Sequence, residues 1–237
     1  HQRELPVRLS QARMSGPATP VRAVLFDLDG TLVDSAPDLA GAANELRQAH
    51  GLPALAFEAL RPMVGTGARG MLDAAFGIGP SDERFDALRT YFLRRYEARI
   101  LRETRVFVRM EPVLQALEQR GLPWGIVTNK IARFSVPLVE GLNLTTRCAV
   151  LISGDSTAHA KPHPAPLLEA ARRLDVLPQH CIYVGDDRRD VEAGRSARMP
   201  TLAAAWGYLG RGESVHDWNA DAVLQHPEEL LNWLAMT

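Results

Sequence analysis

Apolar residues recur along this chain in two rhythms. One is the short solid run: Val21-Arg22-Ala23-Val24-Leu25, Trp124 to Val127, Ala149 to Ile152, Cys181 to Val184 and Thr201 to Ala205. Unbroken runs of this length, bounded by turn residues, predict strands buried on both faces. Between them the spacing becomes helical. Helices are predicted over Val113 to Arg120, Phe134 to Glu140, Pro164 to Leu174 and Asp190 to Ala197, with a last short strand at Ala220 to Leu224 and a helix from Pro227 to Leu234. Helix and strand in alternation predict an α/β fold, a doubly wound, mostly parallel sheet.

From Asp34 to about Met110 the helical rhythm runs alone. Pro37 to His50 places Leu39, Ala42, Ala43 and Leu46 on one face and ends at Gly51. Phe57 to Val64 and Gly70 to Phe76 are short candidates. Ser81 to Arg102 is the longest, with Phe85, Leu88, Phe92, Tyr96 and Ile100 at helical spacing. With no strand signal in this block, it is expected to be a small helical cap over residues 36–110, set into a core of residues 21–35 and 111–237. Residues 1–20 carry Pro6, Gly16, Pro17 and Pro20 and no sustained periodicity, and are expected to form a flexible extension, with Met14 a candidate start.

The strand ends carry the chemistry. The first run leads into Phe26-Asp27-Leu28-Asp29-Gly30-Thr31. Two carboxylates two residues apart repel and call for a cation, a shared proton or solvent. A hard divalent cation is the simplest remedy. Gly30 allows a tight turn. The Cys181 run leads into Gly185-Asp186-Asp187-Arg188-Arg189-Asp190, the Trp124 run into Thr128-Asn129-Lys130, and Lys161-Pro162 lies between these two in chain order. Ligands of open parallel sheets bind outside the carboxyl ends of the strands, so all these groups are expected to converge on one crevice.

Asp27-Leu28-Asp29-Gly30-Thr31, Thr128-Asn129, Lys161-Pro162 and Gly185-Asp186-Asp187 with Asp190 resemble the four ordered motifs of the haloacid dehalogenase-like phosphatases. The resemblance runs from about Val21 to the C-terminus. Within the family the chain looks most like the phosphoglycolate phosphatase branch, through Gly185 to Arg195, and is also similar to N-acetylmuramic acid 6-phosphate phosphatases. Thr128-Asn129-Lys130 and Gly67-Ala68-Arg69 fit both.

The resemblance implies a Mg2+-dependent phosphatase that hydrolyses a small phosphomonoester through an aspartyl-phosphate. Asp27 is implied as nucleophile and Asp29 as acid and base, its backbone carbonyl facing the metal. Asp186 is the remaining metal ligand. Thr128, the Asn129 backbone N–H and Lys161 are the phosphate-binding groups, and Thr31, Asp187 and Asp190 stand behind the ligands. For Asp190, simply capping the following helix is nearly as good a reading. Arg69, in the turn Gly65 to Gly70, is the cap residue expected to pair with a substrate carboxylate, and Lys130 and Arg133 are placed within reach of the substrate. A sugar phosphomutase shares every motif and is separated only by kinetics. A dehalogenase needs neither metal nor Asp29. A phosphonate hydrolase needs an amine from the cap, and residues 34–110 contain no lysine.

Bulk properties leave this reading in place. The 237 residues are 46% hydrophobic, and 27 Lys plus Arg against 28 Asp plus Glu leave a formal charge of −1, no general field for nucleic acid or an anionic membrane. Cys148 and Cys181 sit in or beside apolar runs and read as buried thiols. Trp124, Trp206, Trp218 and Trp233 read as packing residues. The expected partner is a small phosphorylated metabolite, the expected state a monomer or homodimer, and the expected compartment the cytoplasm.

Overall fold

A computed structural model describes residues 16–235 of the chain. In order the elements are β1 (Ala23–Phe26), β2 (Val33–Asp34), α1 (Ala36–Ala49), α2 (Phe57–Leu60), α3 (Gly67–Phe76), α4 (Phe85–Arg99), β3 (Arg105–Val106), α5 (Glu111–Gln119) and β4 (Trp124–Val127). There follow α6 (Ala132–Gly141), β5 (Leu151–Ile152), α7 (Ala165–Leu174), β6 (Cys181–Gly185), α8 (Arg188–Ser196), β7 (Thr201–Ala204), β8 (Ala222–Leu224) and α9 (Glu229–Leu234).

Six strands form one parallel sheet in the order β5-β4-β1-β6-β7-β8. Successive residues of β1 serve opposite faces, as a strand requires. Val24 and Phe26 join Ile182, Val184, Val113 and Trp233 on the side of α5 and α9. Ala23 and Leu25 join Tyr183, Leu167 and Ala193 on the side of α7 and α8. All four residues of β1 are fully buried, which is why the strand reads as a solid apolar run. The chain winds outward from β1 toward β5 and then back toward β8, so β1 and β6 lie at the reversal, where a parallel sheet opens a crevice at its carboxyl end.

Helices α1 to α4 pack round a cluster of their own, including Leu39, Leu46, Met71, Leu88 and Phe92, which also takes in Phe134 and Tyr208 from the sheet side. Arg99, at the end of α4, binds Asp38 and Glu45 of α1 at 3.2 and 2.8 Å, and Asp38 also accepts from the backbone N–H groups of Glu103 and Thr104 at 2.9 Å each. This largely buried network fixes the long helix against α1.

Several expectations need correction. The block from Asp34 to Met110 is not purely helical: Val33–Asp34 and Arg105–Val106 pair as a two-stranded antiparallel ribbon where the insert leaves and rejoins the core. The helix expected over Phe57 to Val64 ends as α-helix at Leu60 and continues as a tighter 3-10 turn over Arg61–Thr66, because Pro62 brings no N–H. The third helix begins at Gly67 rather than Gly70, and the fourth at Phe85 rather than Ser81. Of the expected extension, residues 1–15 lie outside the described residues. Thr19 and Pro20 are tied to the core, the Thr19 hydroxyl donating to Gln179 O at 2.7 Å and Pro20 O lying 2.7 Å from His180 Nδ1. Among the described residues no helix is long and apolar enough to cross a membrane.

Candidate active site

Register alone brings the motifs together. Phe26 stands between Ile126 and Val184, so the next residues of three neighbouring strands, Asp27, Val127 and Gly185, emerge side by side, with Thr128 and Asp186 one residue beyond. The Asp27 N–H donates to Val184 O at 2.9 Å and extends the ladder one step. The chain then turns at Gly30 (φ +80°), where a Cβ would lie 2.1 Å from an Asp186 carboxylate oxygen. Glycine is therefore demanded twice, by the backbone and by the carboxylate beside it. Gly207 is pressed in the same way, its Cβ position 2.2 Å from Asp186 Cβ.

Asp27, Asp186 and Asp190 offer carboxylate oxygens that all lie within 4.8 Å of one another. Asp27 and Asp186 are hard oxygen donors close enough to share a divalent cation, while both oxygens of Asp190 are engaged by protein donors. Burial, reinforced by the charge of Asp190, pushes the Asp27 carboxyl up to about 7, with Lys161 pulling the other way. Burial and the charges of Asp27 and Asp190 push Asp186 well above the usual carboxylate range. The three clustered carboxylates thus carry more negative charge than Lys161 alone balances, the condition a bound dication relieves. Asp186 is held by the Tyr208 N–H at 2.7 Å and the Thr31 hydroxyl at 3.3 Å.

Lys161 is buried beneath this cluster. Its ammonium donates to Asp190 at 2.7 Å, to Tyr183 Oη at 2.6 Å and to Val127 O at 3.0 Å, and stands 3.2 Å from Asp27. Burial opposes its charge, but Asp190 and Asp27 prevail and raise its pKa. Asn129 locks the lysine's backbone in a reciprocal pair: Nδ2 donates to Lys161 O and Oδ1 accepts from Lys161 N, both at 2.9 Å. The Asn129 side chain therefore positions the lysine loop. Thr128 Oγ1 accepts from Lys130 N at 3.1 Å, which leaves the hydroxyl proton for a ligand.

Asp29 is oriented apart from the three clustered carboxylates. Its Oδ1 accepts from Ser35 Oγ at 2.5 Å and from Lys130 Nζ at 2.8 Å. Among the described residues no donor reaches Oδ2. Lys130 lies 4.7 Å from the Tyr96 ring centroid. Burial works against its charge, yet Asp29 and Tyr96 raise its pKa.

Asp190 caps the following helix and also reaches the carboxylate cluster. Asp187 is the N-cap of α8 and Asp190 closes the capping box, accepting from Asp187 N at 3.1 Å through Oδ2 while Oδ1 serves Lys161 and Tyr183. Asp187 also binds Arg189 at 2.9 Å, and Arg189 donates to Gly65 O in the helical insert at 2.8 Å. Arg189 outweighs burial and draws the Asp187 carboxyl below its ordinary range.

Above the carboxylates lies a cavity of about 330 Å³, walled by both the sheet ends and the helical insert. Arg69 does not line it. Gly67 and Ala68 do, and the helix turns roughly 100° per residue, which carries Arg69 to the exposed side of α3. Arg133 is also outside, paired with Glu97 at 2.7 Å, whereas Lys130 is a wall residue. The insert's cation in the cavity is Arg89 of α4, which sequence reasoning passed over. Ser35, Tyr183 and Tyr208 were likewise missed as site-builders. Tyr208 donates to Asp34 Oδ1 at 2.6 Å and accepts from Ala36 N at 2.9 Å, pegging the start of the insert beside Asp186.

Fold and site together are those of an α/β enzyme that handles a charged ligand at the carboxyl edge of its sheet. The family model of haloacid dehalogenase-like hydrolases matches residues 24–204, and the chain belongs to that family. A phosphoglycolate phosphatase from Xanthomonas campestris pv. campestris is 47% identical over 209 residues, covering 88% of this chain and 94% of the relative. An N-acetylmuramic acid 6-phosphate phosphatase from Pseudomonas aeruginosa is 40% identical over 214 residues, covering 90% and 95%. The crystal structure of a predicted phosphoglycolate phosphatase from Haemophilus somnus superposes with a TM-score of 0.79 at 24% identity, over 91% of this chain and 98% of that one.

Proposed function

We propose that this protein is a Mg2+-dependent phosphomonoesterase for small carboxylated phosphates, with phosphoglycolate the first substrate. The observation that carries this reading is the division of labour among four carboxylates: three clustered together, two of them on a buried ammonium, and Asp29 held separately with one oxygen free. The relative named as a phosphoglycolate phosphatase supports the choice of substrate.

Asp27 attacks phosphorus and forms an acyl phosphate while the bond from phosphorus to the ester oxygen breaks. Asp29 gives its proton to the departing oxygen, then takes one from the water that attacks the acyl phosphate, releasing inorganic phosphate and restoring Asp27. Ser35 and Lys130, both on Oδ1, hold the carboxyl so that Oδ2 carries that proton. Lys161 and the Thr128 hydroxyl compensate charge on the phosphoryl oxygens, which is most of the protein's task in such a transfer. Asp27, Asp186 and the Asp29 carbonyl would hold Mg2+, which when bound supplies charge neutralisation and a fixed anchor for a phosphoryl oxygen.

N-acetylmuramic acid 6-phosphate is a second reading, favoured by the volume of the cavity, which exceeds the needs of a two-carbon ester, and by the 40% identical relative. The near-neutral net charge suits a cytoplasmic enzyme without nucleic-acid or membrane partners. The test is phosphate release from an aryl phosphate, phosphoglycolate, N-acetylmuramic acid 6-phosphate and common sugar phosphates, with and without EDTA. Mg2+-dependent release, with carboxylated esters preferred, is expected. Transfer of the phosphoryl group to a second sugar hydroxyl instead of water would replace this reading with a mutase.

A further inference from the structure

Four cations line the cavity, and three are committed. Lys161 is bound to Asp190 and Asp27, Lys130 to Asp29, and Arg189 to Asp187. Arg89 is the fourth, and among the described residues it has no carboxylate or hydrogen-bond partner. It is exposed at the cavity mouth.

Its place on α4 gives it a measured distance from the chemistry. Arg89, Phe92, Leu93 and Tyr96 fall at i, i+3, i+4 and i+7, one stripe of a helix, and all four line the cavity. Tyr96 marks the reacting end, its ring 4.7 Å from Lys130 Nζ, which is 2.8 Å from Asp29. Seven residues of helix put Arg89 roughly 10 Å further out. Helical side chains lean toward the N-terminus, so the guanidinium leans away from Tyr96. Between the two ends the stripe is apolar.

We infer that Arg89 is a specificity residue that seats the distal carboxylate of a ring-sized phosphomonoester, and that the cavity accepts such an acid as well as a two-carbon one. This rests on the phosphatase reading above. In phosphoglycolate the carboxylate lies roughly 4 Å from phosphorus, near Lys130 and short of Arg89. In N-acetylmuramic acid 6-phosphate a sugar ring separates the phosphate from the lactyl carboxylate and the span grows to roughly 8 Å. The ring and its acetyl group meet Phe92 and Leu93, and the carboxylate meets a free guanidinium suited to bidentate pairing.

The experiment is steady-state kinetics of the full chain with Mg2+ on four substrates: N-acetylmuramic acid 6-phosphate, N-acetylglucosamine 6-phosphate (the same ring without the lactyl acid), phosphoglycolate and an aryl phosphate. Wild type should favour the muramic over the glucosamine ester by about tenfold or more in kcat/KM. Arg89→Ala should erase that margin through KM, leave kcat in place, and spare the other three substrates. Arg89→Lys should restore part of it. Equal losses on both sugars, or no turnover of the muramic ester by an enzyme active on the others, overturns this inference alone. Failure to release phosphate even from the aryl ester overturns the phosphatase reading beneath it.

Discussion

Replacing the proposed nucleophile should remove activity and, in the absence of divalent cations, strengthen the fold. Asp27 sits among Asp190 and Asp29, and its carboxyl rises from its ordinary 3.8 to about 7, chiefly through burial. A folded-state pKa above the unfolded one means the folded protein holds its proton more tightly. The contribution to stability is full below about pH 4 and is lost as pH rises through about 7. Each pH unit in that interval is worth about 1.4 kcal/mol, so the wild type loses about 3 kcal/mol from this residue between pH 5 and pH 8. Asp186, raised for the same reasons, adds loss in the same direction. Asp27→Asn removes the charge and keeps the shape, and Lys161 retains Asp190 at 2.7 Å. Urea unfolding in EDTA at pH 5, 6, 7 and 8 should show wild type falling against the variant by that amount. Saturating Mg2+ should flatten the wild-type slope, with a gain of about 2.7 kcal/mol at a hundred times its Kd, and do much less for the variant. Parallel pH profiles for the two proteins, or substantial turnover by Asp27→Asn, would refute the assignment of the strained charge and of the nucleophile together.

Lys161→Met should lower kcat on an aryl phosphate by roughly 10²- to 10³-fold, since the ammonium touches both Asp27 and Asp190; a loss confined to KM would mean that it only helps binding. Tyr183→Phe deletes a buried hydroxyl bonded to Lys161 and Val127; urea unfolding should show a cost of about 1–3 kcal/mol, and the pH profile of kcat should shift, whereas an unmoved profile would leave Tyr183 a packing residue. Gly30→Ala forces a side chain into a left-handed turn and against Asp186; the Mg2+ concentration for half activity should rise about tenfold or more, with unchanged Mg2+ dependence the contrary result.

The sheet and its acid tips were legible because a central parallel strand is buried on both faces, so β1, β4 and β6 stand out as solid runs and their ends are where the apolar pattern stops. Thr128 and Asp186 could be placed on the strength of that alone, whereas Lys161, in the loop between β5 and α7, stood out only through the motif resemblance. What escaped depended on long-range contact. Tyr208 looks like any residue of a Gly-rich loop until its hydroxyl meets Ala36 and Asp34 across more than 170 positions of sequence. Arg69 and Arg89 are both insert arginines, and nothing in local periodicity says which faces the crevice. The buried face of α4 was readable from Phe85, Leu88, Phe92 and Tyr96, but the flank turned to the cavity is set by how the helix is clamped through Arg99 to Asp38 and Glu45. Helix starts slipped by two to four residues where the cap is a backbone geometry rather than a side chain, as at Arg84 and Thr66.

The N-terminus of α8 explains why acid residues are packed there beyond what a cation needs. Asp187 and Asp190 satisfy the helix's first N–H groups, and a helix start favours negative charge. Each carboxylate then spends its remaining capacity outward. Asp190 reaches into the core to hold Lys161, and Asp187 grips Arg189, whose other hand is on Gly65 of the insert. One short helix end thereby links the buried Lys161 ammonium to the loop that roofs the cavity. The roof at Gly65 and the proposed reaction centre at Asp27 thus share one helix end as their reference, so a substrate held under that roof would also be held relative to Asp27.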